Sequence, residues 1–111
     1  MRKTDEYRLH RILETCDRLL DFVSSGEVTR DAVLWDVKTQ WTITTPLFII
    51  GEQANCVSRE FADAHPEIPW SSIAGLRHRL GHDYEGTNWE RVANVLFEDI
   101  EPLRDAVKKL L

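Results

Sequence analysis

The sequence predicts an all-α protein, an antiparallel bundle of four to five helices in a single domain that spans residues 1–111. Apolar residues recur at helical spacing along most of the chain, and no convincing pair of β-strands is present. The 111 residues are 42% hydrophobic and include only five glycines and four prolines, a composition that supports one buried core. The predicted connections are short, which favours antiparallel neighbours.

The first predicted helix runs from about Asp5 to Ser24. Thr4 or Asp5 is the expected N-cap, and Ser24-Ser25-Gly26 ends the helix. The i, i+3, i+4, i+7 pattern that defines its buried face consists of Leu9, Ile12, Leu13, Cys16, Leu19, Leu20 and Val23.

The second segment, Asp31 to Asp63, contains Pro46 and Gly51 as its only strong breakers. Residues 41–45 are β-prone, but a lone strand would have no partner. We therefore predict helix on both sides of Pro46. Either the helix kinks at this proline, or Thr45 caps a new helix that has Pro46 at its first position.

The third segment follows the loop at residues 65–69 and continues through the residues that share one helical face, namely Trp70, Ile73, Leu76 and Leu80. The last helix begins near Thr87-Asn88, with Asn88 as its expected cap. Pro102 lies in the middle of this helix and predicts a kink or a restart.

Charge and hydropathy exclude several classes of protein. The net charge of −5 argues against a broad basic face that coats nucleic acid, so any nucleic-acid chemistry belongs in a small local basic pocket. The longest apolar run, Leu47–Ile50, is too short to cross a bilayer, and the charged N-terminus does not resemble a secretory signal. We expect a cytoplasmic protein in which Cys16 and Cys56 are reduced core residues.

The stretch Arg77-His78-Arg79-Leu80-Gly81-His82 holds two histidines and two arginines. On a helical projection, Arg77 falls inside or beside the apolar face, while His78 and His82 form a pair on its edge. A buried arginine needs partners. Arg77 therefore either pairs with a neighbouring carboxylate or helix end, or it binds an anion.

The i, i+4 spacing of His78 and His82 also fits a metal pair. However, Arg79 stands where the zinc-protease pattern has Glu, and the chain contains no Cys-x-x-Cys motif. Without a metal, two imidazoles beside two arginines suit phosphodiester chemistry, because a histidine transfers protons near neutral pH and a guanidinium holds phosphate oxygens. We therefore expect neither a metal nor a cofactor.

Arg77, His82 and Tyr84 form an Arg-x4-His-x-Tyr pattern. With this pattern and the stretches that flank it, the chain resembles the HepT-like toxins of the HEPN ribonuclease superfamily. These stretches are Pro66-Glu67-Ile68-Pro69-Trp70, Gly75-Leu76-Arg77, Tyr84-Glu85-Gly86 and Gly51-Glu52-Gln53-Ala54.

The resemblance implies an all-α homodimer whose two motifs face each other across a cleft. It implies a metal-independent endoribonuclease, the toxin of a toxin–antitoxin pair. Its antitoxin would be an MntA-like minimal nucleotidyltransferase that adds AMP to the motif tyrosine. Carried over to this chain, Arg77 and His82 would be catalytic, Tyr84 would be the modified residue, and RNA would be the substrate.

Two positions depart from the family pattern. His78 stands where the family usually has Asn or Asp, and we expect it to join the active site as an orienting or acid–base group. Gly81 replaces a larger apolar residue and would permit close approach of another helix or of substrate. Glu52 and Arg79 are expected to support the site from nearby, Glu52 by pairing with Arg77. A solvent-facing or core-edge Glu52 is the alternative.

Two other functions compete with the ribonuclease. The chain could be a non-catalytic helical partner of a minimal nucleotidyltransferase, with a His/Arg cluster that only shapes an interface. It could also be a metal hydrolase, in which case a chelator would abolish its activity.

Overall fold

All regular elements in the described part of the chain, residues 1–81 and 86–111 of a computed structural model, are helices, which confirms the all-α prediction. Short helices subdivide some segments that the sequence predicts as single. The elements are α1 (Lys3–Ser24), α2 (Arg30–Trp35), α3 (Val37–Cys56), α4 (Arg59–Ala64), α5 (Trp70–Ala74), α6 (Leu76–Gly81), α7 (Trp89–Asn94), a π-helical turn (Val95–Asp99) and α8 (Ile100–Leu110).

The two longest helices, α1 and α3, run antiparallel. Asp5 at the start of α1 lies beside Ser58 just after α3, and Arg8 donates to Gln53 at 3.0 Å. The predicted stripe of α1 faces the core, with Leu13, Leu20 and Val23 half-buried at its edges. The fully buried residues that these two helices contribute to the core are Leu9, Ile12, Cys16 and Leu19 of α1 and Ile43, Leu47 and Ile50 of α3.

The start of α1 differs from the prediction. The cap residue is Arg2, with no side-chain cap, so the expectation of Thr4 or Asp5 was wrong. Asp5 is instead buried inside the first turn, where its carboxylate accepts hydrogen bonds from the backbone N–H and the hydroxyl of Ser58 at 2.7 and 2.6 Å. The Asp5 carboxylate oxygens, which would have capped the helix locally, therefore bind the distant residue Ser58 instead.

Helix α3 passes through Pro46 without a restart, so the alternative in which Thr45 caps a new helix was wrong. The helix is capped well before the proline, where the Asp36 carboxylate accepts hydrogen bonds from the Thr39 N–H and hydroxyl. These bonds lower the pKa of Asp36. Gln40 donates to the last carbonyls of α2, at Val33 and Leu34, and so secures the junction between the two helices.

The C-terminal helix confirms both of its predicted signals. The Asn88 side chain accepts a hydrogen bond from the Arg91 N–H, which caps α7. A π-helical turn then leads into α8, with the Ile100 N–H donating to the Val95 carbonyl. Because Pro102 has no N–H and its ring crowds the preceding turn, the wider turn absorbs the disruption and the α-helix restarts at Ile100.

The two cysteines have different environments. Cys16 is fully buried, as predicted, and burial raises its pKa to about 12. Cys56 is exposed at the end of α3, so the expectation that it is a core residue was wrong. In the described part of the chain, no helix has the length and apolar character that crossing a membrane requires.

Candidate functional site

Arg77 lies in the first turn of α6, directly after a break in the helix. The sequence predicts one continuous helix here, but α5 ends at Ala74 and α6 begins at Leu76, with Gly75 between them. Leu76 and Leu80 are buried, and Arg77 is half-buried beside them, as the helical projection predicts. The Nε atom of Arg77 is buried and has no hydrogen-bond acceptor among the described residues.

Gly51 brings helix α3 into backbone contact with the α5–α6 junction. A Cβ atom at Gly51 would lie 3.0 Å from the Arg77 backbone nitrogen and 3.0 Å from the Ile73 carbonyl oxygen. These distances are shorter than ordinary van der Waals contacts, so a side chain would push the two elements apart. The missing side chain therefore sets the position of Arg77 relative to α3.

Asn55, one turn after Gly51 on α3, is the hydrogen-bond partner of the Arg77 guanidinium. Nη2 of Arg77 donates to its side-chain oxygen at 3.3 Å. An amide is neutral, so it orients the guanidinium without cancelling its charge. Glu52, which is half-buried on the same helix, forms no ion pair with Arg77. Its supporting role remains a prediction.

His78 and Arg79 continue along α6 and are both exposed. They line a small groove of about 240 Å³ that separates α6 from α7. Arg91 of α7 lines the same groove. The Thr87 hydroxyl donates to the Arg79 carbonyl at 3.3 Å and joins the end of α6 to the approach of α7. The remaining described residues of this lining are Leu76, Gly86, Asn88, Val92 and Val95.

A larger groove of about 570 Å³ adjoins the small one, between α5–α6 and the C-terminal helix. Its lining is mostly apolar, with Ile73, Leu76 and Val95 among the residues that it shares with the core and its edge. Arg79 and Arg91 line both grooves, whereas the carboxylates Glu67 and Asp99 line only the larger one. The two arginines therefore mark the boundary between a basic groove and a mixed one.

Most arginines elsewhere in the molecule are neutralised or bound to an amide. Four of them form ion pairs with carboxylates, Arg2 with Glu60, Arg18 with Glu14, Arg59 with Asp63, and Arg104 with Asp17 and Asp105. No such pair involves Arg77, Arg79 or Arg91 within residues 1–81 and 86–111. Among the described residues, positive charge at Arg77, Arg79 and Arg91 is therefore not paired with a carboxylate.

His82 and Tyr84 lie outside the described residues. Their predicted roles as catalytic group and modification site stay predictions, and so does the pairing of His82 with His78. Of the predicted site residues, the structure describes Glu52, Arg77, His78 and Arg79. It brings Arg77 to one side of α6, against α3, and lines the groove on the α7 side with His78 and Arg79.

Sequence reasoning missed two neighbours of this cluster. Asn55 is 22 residues from Arg77, and Arg91 follows on the next helix after Arg79. The position of Asn55 one turn after Gly51 is the local signal that could have identified it, because a helical glycine often marks close packing. Arg91 carries no comparable signal, since a single arginine on an amphipathic helix is ordinary.

Comparison with known proteins gives a family that covers most of the chain. The model of a family described as ribonuclease HepT-like matches residues 11–110. A protein named "Putative RNase" from Caldanaerobacter subterraneus subsp. tengcongensis is 34% identical over 109 residues, covering 98% of this chain and 96% of its own. "Probable ribonuclease HepT" from Thermococcus cleftensis is 32% identical, covering 99% and 98% of the two chains. No solved structure gives a significant match.

Proposed function

Because this chain belongs to the HepT-like ribonuclease family, we propose that it is a metal-independent endoribonuclease and the toxin of a toxin–antitoxin pair. The observation that carries the proposal is the state of Arg77. Its guanidinium is half-buried, oriented by the neutral Asn55, and left without a carboxylate partner in the described part of the chain. Such a group is available to a phosphate.

The proposed reaction is attack by a ribose 2′-hydroxyl on the adjacent phosphorus. The 2′-oxygen–phosphorus bond forms while the bond to the 5′-oxygen breaks. One histidine accepts the 2′-hydroxyl proton, and an acid donates a proton to the departing 5′-oxygen. The products are a 2′,3′-cyclic phosphate and a 5′-hydroxyl. His82 would act as base or acid, with His78 in an orienting or second acid–base role.

Arg77 would stabilise the charge that builds on the non-bridging phosphate oxygens during this attack. A guanidinium presents paired N–H donors that match two such oxygens, and it stays protonated at all physiological pH values. Removing a preorganised donor of this kind typically lowers kcat by about 10²–10³-fold. We therefore assign Arg77 the largest single electrostatic contribution in the described site.

We propose that the working unit is a homodimer in which two copies of the cluster share one cleft. One chain supplies few groups for acid, base and charge stabilisation, and a second copy doubles them. If the site is composite, dilution of the protein below its dimerisation constant lowers the specific activity in parallel with the dimer fraction measured by light scattering. A specific activity that stays constant while the dimer dissociates would contradict the composite site.

We also propose that a nucleotidyltransferase antitoxin silences the protein by adding AMP to Tyr84. The modification would place bulk and negative charge next to a phosphate-binding site and so repel the substrate. Incubation with the cognate nucleotidyltransferase and ATP should add the mass of AMP to the wild-type protein and none to Tyr84→Phe. Equal modification of the two proteins would rule out this tyrosine.

The central experiment incubates purified protein with RNA in the presence of a chelator. We expect cleavage by the wild type, and loss of cleavage in Arg77→Ala and in His82→Ala. Arg18→Ala is the matched control, because it removes an exposed arginine that pairs with Glu14 on the far helix α1. Intact RNA at high protein concentration would support a non-catalytic binding partner, and cleavage that the chelator abolishes would support a metal hydrolase.

A further inference from the structure

We propose that Arg79 and Arg91, on either side of the small groove between α6 and α7, bind a phosphodiester of the RNA strand next to the one that is cleaved. This inference rests on the proposed ribonuclease function and adds a substrate-binding subsite to it. The groove has a volume of about 240 Å³. A water molecule occupies about 30 Å³ in the liquid, so the groove has room for a phosphodiester group with part of its hydration.

The described lining of the small groove is basic and favours an anion. The described residues of the small groove include two arginines and His78 but no carboxylate. The larger groove beside it contains Glu67 and Asp99, which would repel a phosphate. A strand that leaves the catalytic cluster is therefore attracted into the small groove and not along the larger one. The described lining of the small groove is basic although the chain as a whole has a net charge of −5.

The two arginines are available for a ligand. Both are exposed, and neither forms an ion pair within the described ranges. An exposed arginine on an acidic protein ordinarily finds a carboxylate, as Arg59 finds Asp63 within its own helix. Two arginines from different helices line this one groove, and neither pairs with a carboxylate in the described chain, so both can donate to an incoming phosphate.

The groove lies on a different side of α6 from the contact that Arg77 makes with α3. Arg77 contacts α3 through Asn55 on one side of α6, whereas Arg79 lines the groove on the α7 side. A strand held by both residues crosses α6, so the phosphate at Arg79 and Arg91 cannot be the one at Arg77. The Thr87–Arg79 hydrogen bond keeps the two walls of the groove together.

The test measures binding with a short RNA that is 2′-O-methylated at every position and therefore lacks the nucleophile. Fluorescence anisotropy at several salt concentrations gives the Kd for the wild type, Arg79→Ala, Arg91→Ala and Arg91→Lys. We expect a loss of about tenfold for each alanine variant, because a charge-assisted hydrogen bond is removed. The slope of log K against log salt should fall by about 0.7 for each lost phosphate contact.

The matched control is Arg59→Ala, which removes one exposed arginine from α4, outside both grooves. We expect wild-type affinity from this control, and affinity close to the wild type from Arg91→Lys, which keeps the charge. With cleavable RNA, Arg91→Ala should raise KM about tenfold and leave kcat within about twofold of the wild type, since a flanking contact binds ground state and transition state equally.

The outcomes separate this inference from the proposed function. If Arg91→Ala and Arg79→Ala bind and cleave like Arg59→Ala while Arg77→Ala is inactive, the subsite is wrong and the ribonuclease stands. If the wild type cleaves nothing but binds the methylated strand through Arg79 and Arg91, the groove binds a phosphodiester, whereas the ribonuclease and the place of the groove beside a cleaved phosphate are wrong. A fall in kcat without a change in Kd would place Arg91 in the catalytic step and overturn the subsite.

Discussion

Two charged side chains, one buried and one half-buried, lie near the same end of helix α3, and their environments differ. Asp5 is 3% exposed, and its carboxylate accepts two short hydrogen bonds from Ser58. Burial raises the pKa of Asp5, but the hydrogen bonds from Ser58 outweigh burial and leave the pKa below its ordinary value. Arg77 has one longer hydrogen bond, to Asn55, and a buried Nε that has no acceptor in the described chain.

The difference separates a group that stabilises the fold from a group that, on the proposed function, is held ready for a phosphate. A buried donor without an acceptor costs about 1–3 kcal/mol of stability, so its retention at Arg77 points to use of the guanidinium elsewhere. Ser58 follows Asn55 by three residues. The satisfied junction with Asp5 therefore anchors the end of α3 that orients Arg77.

Replacement of Arg77 by Lys should give the largest effect. Lysine keeps the charge but lacks the planar fork, so we expect RNA cleavage to fall by about 10²–10³-fold. The free energy of unfolding should stay the same or rise, because the buried Nε is removed. Parallel cleavage assays and urea unfolding test both expectations. A loss of stability that matches the loss of activity would make Arg77 structural and remove the contrast with Asp5.

Replacement of Asp5 by Asn should lower the stability and leave RNA cleavage nearly unchanged, the reverse of the expectation for Arg77→Lys. An amide offers one acceptor oxygen where the carboxylate offers two, so a Ser58 donor loses its charged partner and the free energy of unfolding should fall by about 1–3 kcal/mol. RNA cleavage by the folded variant should stay within about twofold of the wild type. The measurement is urea unfolding of both proteins at pH 7.

The pH dependence of stability tests the same hydrogen bonds between Asp5 and Ser58. The pKa of Asp5 is lowered in the folded state, so the unfolded state binds more protons as the pH falls through this range. The stability that the Asp5–Ser58 hydrogen bonds contribute is therefore present above about pH 4. It is lost as the pH decreases through the folded-state pKa of Asp5. Asp5→Asn should lack this part of the acid destabilisation. Identical acid profiles for the two proteins would show that Ser58 does not hold a charged carboxylate.

Local patterns predicted the features that depend on neighbours in sequence. The buried stripe of α1 follows from helical periodicity, the start of α7 from the capping preference of Asn88, and the restart before α8 from the missing N–H of Pro102. Each of these signals acts within about one or two turns of helix. For this reason a single sequence is sufficient to identify them.

The long-range partners could not be predicted in this way. Asp5 looked like a cap because nothing in the first turn indicates Ser58, which is 53 residues away. The close packing of the α5–α6 junction against Gly51 joins residues more than 20 positions apart, and the groove needs Arg91 from a helix that follows in sequence. The family motif identified Arg77 and its neighbours on α6, but it carries no information on which helices enclose them.

Substitution of Asn55 tests whether the neutral partner of Arg77 matters. Asn55→Asp places a carboxylate beside the guanidinium and should lower RNA cleavage by about tenfold, because the positive charge is neutralised before phosphate arrives. Asn55→Ala removes the 3.3 Å hydrogen bond but keeps the charge available, so its loss should be smaller. Cleavage assays on both variants show which substitution lowers the activity more. An aspartate variant as active as the wild type would show that the amide is incidental.

The smallest expected effect concerns Gly51, where the contact between α3 and Arg77 is made by backbone alone. Glycine to alanine inside a helix ordinarily adds about 1 kcal/mol of stability. At Gly51 the new Cβ would meet the Arg77 nitrogen and the Ile73 oxygen at 3.0 Å, so the α5–α6 junction must move. We expect a net loss of about 1 kcal/mol and a several-fold fall in RNA cleavage, because Arg77 shifts relative to Asn55.

Gly26→Ala is the matched control for this substitution. Gly26 lies just after α1 with a φ of 83°, and no described atom lies within 4 Å of the position that a Cβ would take there. Alanine at this position should destabilise the protein by about 1–2 kcal/mol through backbone strain while RNA cleavage stays unchanged. Two glycine variants of similar stability would then differ in activity only because one of them displaces Arg77. A Gly51→Ala protein that is more stable than the wild type and fully active would show that the junction yields without moving the guanidinium.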